Sequence, residues 1–214
     1  PNLYGPKSQG ILRVLFHEMD KTWTVLPLAA AEDVSAGPVY SVRNMMLERE
    51  WARDTTDGIK LTQPQALLRE WAVVWARRRE RPRGFFTLLP LDQAEQKMAD
   101  FARSQSRPFA LTGAAGAWRC APMTRYQRTQ VYWEGDPTDL ANAAGLKPAE
   151  SGANVQIFSP RDDGVLLHRE EIDAVPVVSP LQLSLDLLRD PARGEEAAAH
   201  VWDTLLFSPD ARPA

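Results

Sequence analysis

The residues between Phe109 and Trp133 are laid out like the start of a site for nucleotide transfer. A short apolar run, Phe109-Ala110-Leu111, closes on Thr112-Gly113. A run of small residues, Ala114-Ala115-Gly116-Ala117-Trp118, reads as a helix, and the β-branched and aromatic run Thr129-Gln130-Val131-Tyr132-Trp133 reads as a strand. Strand, glycine turn, helix, strand is an order that can hold phosphates at a helix N-terminus. The side chains that would carry out the transfer are missing from it. Other reactive types are scattered. His17, His168 and His200 have no metal-ligand spacing and read as structural or surface residues. Cys120, the single cysteine, follows the small-residue helix and reads as a small buried hydrophobe. Asp162-Asp163-Gly164 lacks the remaining positions of a calcium loop and reads as a turn. Ser151-Gly152 and Ser179-Pro180 do not form a nucleophile elbow. Gly152 and Asn154 suit turn geometry and backbone hydrogen bonding better than ligand binding. No catalytic residue, metal site or cofactor is expected.

A second group of residues suits nucleic acid. Val39, Val42, Met46 and Leu47 form the inner stripe of a helix. Ser35 stands at its N-cap and Pro38 in its first turn. Tyr40, Ser41 and Asn44 then point away from the stripe, with Arg43 at its border. Two shorter helices precede it. One carries Ile11, Leu12, Leu15, Phe16 and Met19 on one side; the other spans 25–33, with Leu26, Leu28 and Ala29 available for burial. After the third helix, Thr55-Thr56-Asp57-Gly58 between two short extended runs signals a hairpin. Three helices and a hairpin make a winged helix-turn-helix, in which the third helix enters the major groove and the hairpin lies along the backbone. Tyr40, Ser41, Arg43 and Asn44 are the candidate readers, with Ser35 at the helix start. Lys60 and the Thr55 and Thr56 hydroxyls are candidate wing contacts. Some winged helices bind only protein, and that alternative stays open.

Length and charge set the frame. The 214 residues hold one large domain or two small ones. No apolar run is long enough to span a bilayer and no secretory signal is visible, so a cytoplasmic setting is expected. One cysteine excludes an internal disulfide. The net charge of −3 is unevenly spread. Residues 1–85 carry 13 Lys/Arg against 10 Asp/Glu, and residues 86–214 carry 12 against 18. A mildly basic head on an acidic body fits a DNA-binding head.

A fourth helix starts at Thr62 and Pro64, with Leu67, Leu68, Trp71, Val74 and Trp75 inward. It ends in the run Arg77-Arg78-Arg79-Glu80-Arg81-Pro82-Arg83-Gly84. This is either a phosphate patch or a set of helix C-terminal cations with a solvated linker. Pro82 and Gly84 mark a domain boundary near residue 84. Beyond it come a strand at Phe85, a helix over 92–106, and the Phe109–Trp133 unit. A short helix from Asp136 to Ala144, stopped by Gly145, and a strand Val155–Phe158 follow. Val165-Leu166-Leu167-His168 reads as a further strand and Val175–Val178 as an extended segment. A helix from Ser179-Pro180 has Leu181, Leu185 and Leu188 on one stripe, broken at Pro191. A last helix over 195–207 buries Ala198, Val201, Trp202 and Leu205, with a frayed tail from Ser208.

Four runs of the second half carry a family resemblance: Ala110-Leu111-Thr112-Gly113, Gly152-Ala153-Asn154-Val155, the stretch Val178 to Leu187, and Arg193-Gly194-Glu195-Glu196-Ala197-Ala198. Together they resemble the AbiEi-like antitoxins and transcriptional regulators of type IV toxin–antitoxin (abortive-infection) systems. The resemblance implies an α+β protein with a winged helix-turn-helix over 1–84 that binds operator DNA and represses its own operon. It also implies an α/β domain over 85–214 that resembles a degenerate minimal nucleotidyltransferase and opposes a nucleotidyltransferase-like toxin. In such transferases a strand supplies two alternating carboxylates to Mg²⁺. Here Gln130 and Tyr132 stand at those positions and cannot replace two anionic oxygens. Glu134 and Asp136, past the strand, read as caps. The resemblance therefore implies a regulator rather than an enzyme. A divergent transferase would need a carboxylate cluster from elsewhere, such as Glu134 with Asp162 or Asp163.

Overall fold

The computed structural model describes residues 2–78, 81–123, 125–190 and 194–207. The expectations for Arg79, Glu80, Pro191, Arg193 and the tail from Ser208 lie outside the described residues. Two compact units divide the chain, Pro1–Val74 and Trp75–Ala214. The mixture of helix and strand makes the protein α+β.

The first unit opens with α1 (Pro6–His17), α2 (Val25–Ala31) and α3 (Ala36–Glu48). The expected apolar spacings do bring these helices together: Ile11, Leu12, Val39, Val42 and Met46 are all 1% exposed or less. Leu26 does not join them. It is 74% exposed on α2, while Leu28 and Ala29 take the inward positions. Helical geometry separates Leu26 from Leu28 by about 200° around the axis, so both cannot face one core.

The hairpin pairs β1 (Ala52–Thr55) with β2 (Gly58–Leu61) in antiparallel register. Trp23 adds a bridge to Ile59, with N–H to O distances of 2.9 Å in both directions. Gly58 is required there. Its φ is +128°, and a Cβ would stand 2.3 Å from the Trp23 carbonyl oxygen. Next comes α4 (Pro64–Ala76), whose Leu67, Leu68 and Trp71 are fully buried. The division between units falls inside α4, ten residues before Gly84. Its last turn, with Trp75, belongs to the second unit. Residues 1–74 hold 8 Lys/Arg and 9 Asp/Glu, a net −1, because the arginine run lies past Val74.

The second unit is built on a seven-stranded mixed sheet of order β6-β3-β7-β5-β4-β9-β8. The strands are β3 (Arg83–Phe86), β4 (Phe109–Thr112), β5 (Thr129–Trp133), β6 (Lys147–Pro148), β7 (Val155–Phe158), β8 (Glu170–Ile172) and β9 (Val175–Val177). Strand alternation sorts the side chains. Leu111, Val131, Trp133 and Ile157 share one core with α5 (Leu91–Ser104) and α7 (Pro137–Ala144). Thr112, Gln130 and Tyr132 take the other face, on the side of α6 (Gly113–Cys120) and α8 (Pro180–Leu187), with α9 (Gly194–Val201) packed on both helices.

Three expectations change here. Val165–His168 is no strand: Asp163–Leu166 is a single 3₁₀ turn and His168 has φ +54°. Val165 and Leu166 are adjacent yet both buried, which a strand with one covered face does not allow. Helix α8 is not amphipathic, since Leu183, Ser184 and Leu187 are buried along with Leu181 and Leu185. At the end of the chain a π-helical turn, Trp202–Leu206, follows α9 and carries Leu206 inward in place of Leu205.

Gly113 starts α6 at φ +59°, and a Cβ on it would meet Gln130 Oε1 at 2.0 Å. Gly113→Ala is therefore expected to destabilise the second unit by about 1–2 kcal/mol from the left-handed backbone alone. It should also push Gln130 off its partner. Urea unfolding of the variant against the parent measures the loss.

Candidate functional site

In the first unit α3 and the hairpin are joined through Arg43 and Asp54. Tyr40 is 53% exposed and Asn44 is exposed, while Ser41 is half-buried. Ser35 takes the N-cap position of α3 in extended backbone, but its side chain makes no capping bond. Arg43 is turned to the hairpin. Its Nε donates to Asp54 Oδ1 at 3.1 Å, a second nitrogen bonds Asp54 Oδ2, and a third contact reaches Asn44 Oδ1 at 3.1 Å. A forked pair of this kind fixes the angle between helix and ribbon. Thr55 is also spent locally: its hydroxyl donates to the Gly58 carbonyl (2.9 Å) and accepts from the Asp57 N–H (3.3 Å). Thr56 at the tip is exposed and Lys60 half-exposed.

The register adds a residue that the sequence reading passed over. Arg53 lies directly opposite Lys60. Two like charges in that position repel each other, so the outer face of the ribbon carries a local positive charge that the unit's net −1 conceals. The signal was present as alternation, Ala52 in and Arg53 out, but needed the pairing partner to be seen.

In the second unit the sheet face that carries Gln130 and Tyr132 holds neutral groups around one carboxylate. Gln130 Nε2 donates to Gln156 Oε1 at 2.9 Å, across the parallel pairing of β5 with β7. Asp186 of α8 sits at the centre with its side chain 6% exposed. Trp75 Nε1 (2.8 Å) and the Tyr132 hydroxyl (3.0 Å) donate to its Oδ1, and the Thr112 hydroxyl (2.7 Å) donates to its Oδ2. Burial raises its pKa above the ordinary range; the bonds from Thr112, Gln182 and Trp75 and the charge of Arg189 oppose this. With its oxygens committed to these donors, Asp186 ties Trp75, β4, β5 and α8 together. The sequence did hold a hint of it, the one charged residue of that helix.

A raised carboxyl pKa stabilises the fold below the ordinary aspartate range, and that contribution is lost as pH rises through the raised value. Asp186→Asn removes the titration and keeps the shape. The stability of the asparagine variant relative to the parent is expected to climb as pH rises from about 4, the unperturbed value, toward neutrality. Urea unfolding across that range checks the sign.

The other candidates are not brought together. Glu134 is exposed at the end of β5. Asp136 caps α7, accepting from the Thr138 N–H at 2.7 Å; that bond, first, and Arg83 hold its carboxyl below the ordinary range. Asp162 pairs with Arg78 at 3.3 Å, and the side chain of Asp163 lies outside the described residues. Among the described residues no group of three His, Cys, Asp or Glu side chains could hold a metal ion. Burial, with Glu170 adding to it, pushes the half-buried Cys120 thiol up to about 12, so it stays a neutral thiol near pH 7. Asn154 brackets the Thr87 backbone, accepting from its N–H (2.9 Å) and donating to its carbonyl (2.8 Å). Within the arginine run, Arg78 stacks 4.0 Å over Trp75, and Arg83 bonds Thr138 at 2.7 Å.

A family model described as "Transcriptional regulator, AbiEi antitoxin, Type IV TA system" matches residues 60–207. The chain belongs to the AbiEi antitoxin family. The match starts in β2 and runs through the second unit, so the family is carried by the sheet and the helices around Asp186. No curated protein and no solved structure matches the chain at a significant level. Among the described residues no helix is long and apolar enough to cross a membrane.

Proposed function

We propose that this AbiEi-family protein is a DNA-binding, autoregulating type IV antitoxin. Its first unit is read as a winged helix-turn-helix on operator DNA. Its second unit is read as a non-catalytic domain, built like a degenerate nucleotidyltransferase, that opposes a nucleotidyltransferase-like toxin. The observation that supports the DNA reading is three helices followed by a hairpin, with α3 joined to the ribbon through Arg43 and Asp54. Tyr40, Ser41 and Asn44 face outward from a helix narrow enough for a major groove. Ser35, Thr56, Lys60 and Arg53 flank it as phosphate contacts. Arg43 and Thr55 act mainly by position: Arg43 locks the ribbon to the helix through Asp54, and Thr55 closes the tip.

The experiment is fluorescence anisotropy of the full-length protein on the DNA upstream of its own gene. Binding that prefers this sequence and weakens steeply with salt is expected. Binding with no sequence preference and no salt slope would remove the proposal. The net −1 of residues 1–74 favours a second reading, in which the head binds protein only. That reading predicts no operator binding together with unchanged capture of the toxin.

A further inference from the structure

The α6/α8 side of the second unit holds a cavity of about 710 Å³. This lies within the range of small-molecule sites, about 300–1,000 Å³. Its floor is Gln130 and Asp186, already bonded as described. Trp118 and Tyr126 contribute aromatic surface, and Arg125 and Arg128 stand on the loop between α6 and β5. Arg78, Arg83, Arg103, Arg119 and Arg189 of this unit each lie within 4 Å of a carboxylate. Arg125 and Arg128 are exposed and form no ion pair among the described residues. The start of α6 adds to this. Thr112, at its N-cap position, makes no capping bond because its hydroxyl goes to Asp186. The first residues of that helix, Gly113 and Ala114, line the cavity.

We infer that this cavity binds a nucleotide. Two uncommitted guanidiniums three residues apart, beside a helix start with no side-chain cap, suit a phosphate group. Trp118 and Tyr126 offer planar faces for a base. Asp190 and Glu196 also line the cavity and would repel a ligand that was anionic throughout. A ligand with phosphate at one end and ribose hydroxyls or an exocyclic amine at the other satisfies both kinds of lining. This adds a small-molecule input to the regulator and does not depend on whether the head binds DNA.

The test is isothermal titration of the full-length protein with ATP, GTP, CTP and UTP, each with Mg²⁺ and with EDTA, and with pyrophosphate as the anion control. At least one nucleotide is expected to bind more tightly than pyrophosphate and to quench tryptophan fluorescence. Arg125→Ala and Arg128→Ala should each weaken binding about tenfold, the value of one charge-assisted bond. Thermal unfolding of the unliganded arginine variants should not move, since neither residue is tied to a carboxylate. Trp118→Leu should weaken nucleotides and leave any pyrophosphate binding unchanged. Absence of binding by all four nucleotides overturns the inference. So does equal affinity for pyrophosphate, or an Arg125→Ala/Arg128→Ala double variant that binds as the parent does.

Discussion

Removing both charges from the outer face of the ribbon, Arg53→Ala with Lys60→Ala, is expected to weaken operator binding about 60-fold in 0.1 M salt. The figure follows from counterion release. Each phosphate contact contributes about 0.9 to the slope of log affinity against log salt, so two contacts contribute about 1.8. The same substitution should flatten the measured slope by that amount, and the loss should be similar for operator and random DNA, because phosphate contacts carry no sequence information. Stability should not fall, since Arg53 and Lys60 oppose each other directly and their repulsion is relieved. Asn44→Ala is the contrast. It should cut operator binding and leave random DNA unchanged, as expected for a side chain reading a base edge. An unchanged salt slope in the double variant would show that the ribbon does not lie on the phosphate backbone.

The largest effect on stability is expected at Arg119. Glu95 is fully buried on α5, and its carboxylate accepts from Arg119 (2.8 Å), Tyr126 (3.1 Å) and Thr129 (2.6 Å). The guanidinium is itself only 11% exposed. Arg119→Leu leaves that carboxylate without its counter-charge, at an expected cost of about 3–5 kcal/mol. The double variant Glu95→Leu/Arg119→Leu removes both charges and should recover part of the loss, because an apolar pair carries no desolvation penalty. Urea unfolding of the three proteins gives the comparison. A loss under about 1 kcal/mol for Arg119→Leu would put the pair in the class of surface ion pairs and refute the account. The pair also anchors Tyr126 at the edge of the cavity. The burial of that phenol and the adjacent Glu95 charge push its pKa upward, so it remains a donor to the carboxylate.

Much of this was legible from residue types alone. The stripe Val39, Val42 and Met46 dictated which side of α3 is buried, and with it the outward direction of Tyr40 and Asn44. Alternation along Thr129–Trp133 put Gln130 and Tyr132 on one face of the sheet, where their lack of anionic oxygens could be read directly. The runs around Gly113, Gly152, Ser179 and Gly194 suggested the family whose model matches residues 60–207. Such local features follow from backbone periods of 3.6 and 2, which any one segment displays without its neighbours.

What only the tertiary structure decided is who meets whom across the fold. Asp186 takes its partners from Trp75, Thr112 and Tyr132, and Glu95 takes its own from Arg119, Tyr126 and Thr129. Arg43, which reads from sequence as a contact for DNA, is committed to Asp54. The hairpin register set Arg53 against Lys60, and the division between compact units at Val74 leaves the arginine run in the second. Val165–His168 became a turn for the same reason: an apolar run of four residues specifies burial but not backbone shape. A hydrophobic pattern tells each element which face to bury; only the packing of the whole chain chooses the neighbour, and with it the partner of every buried charge.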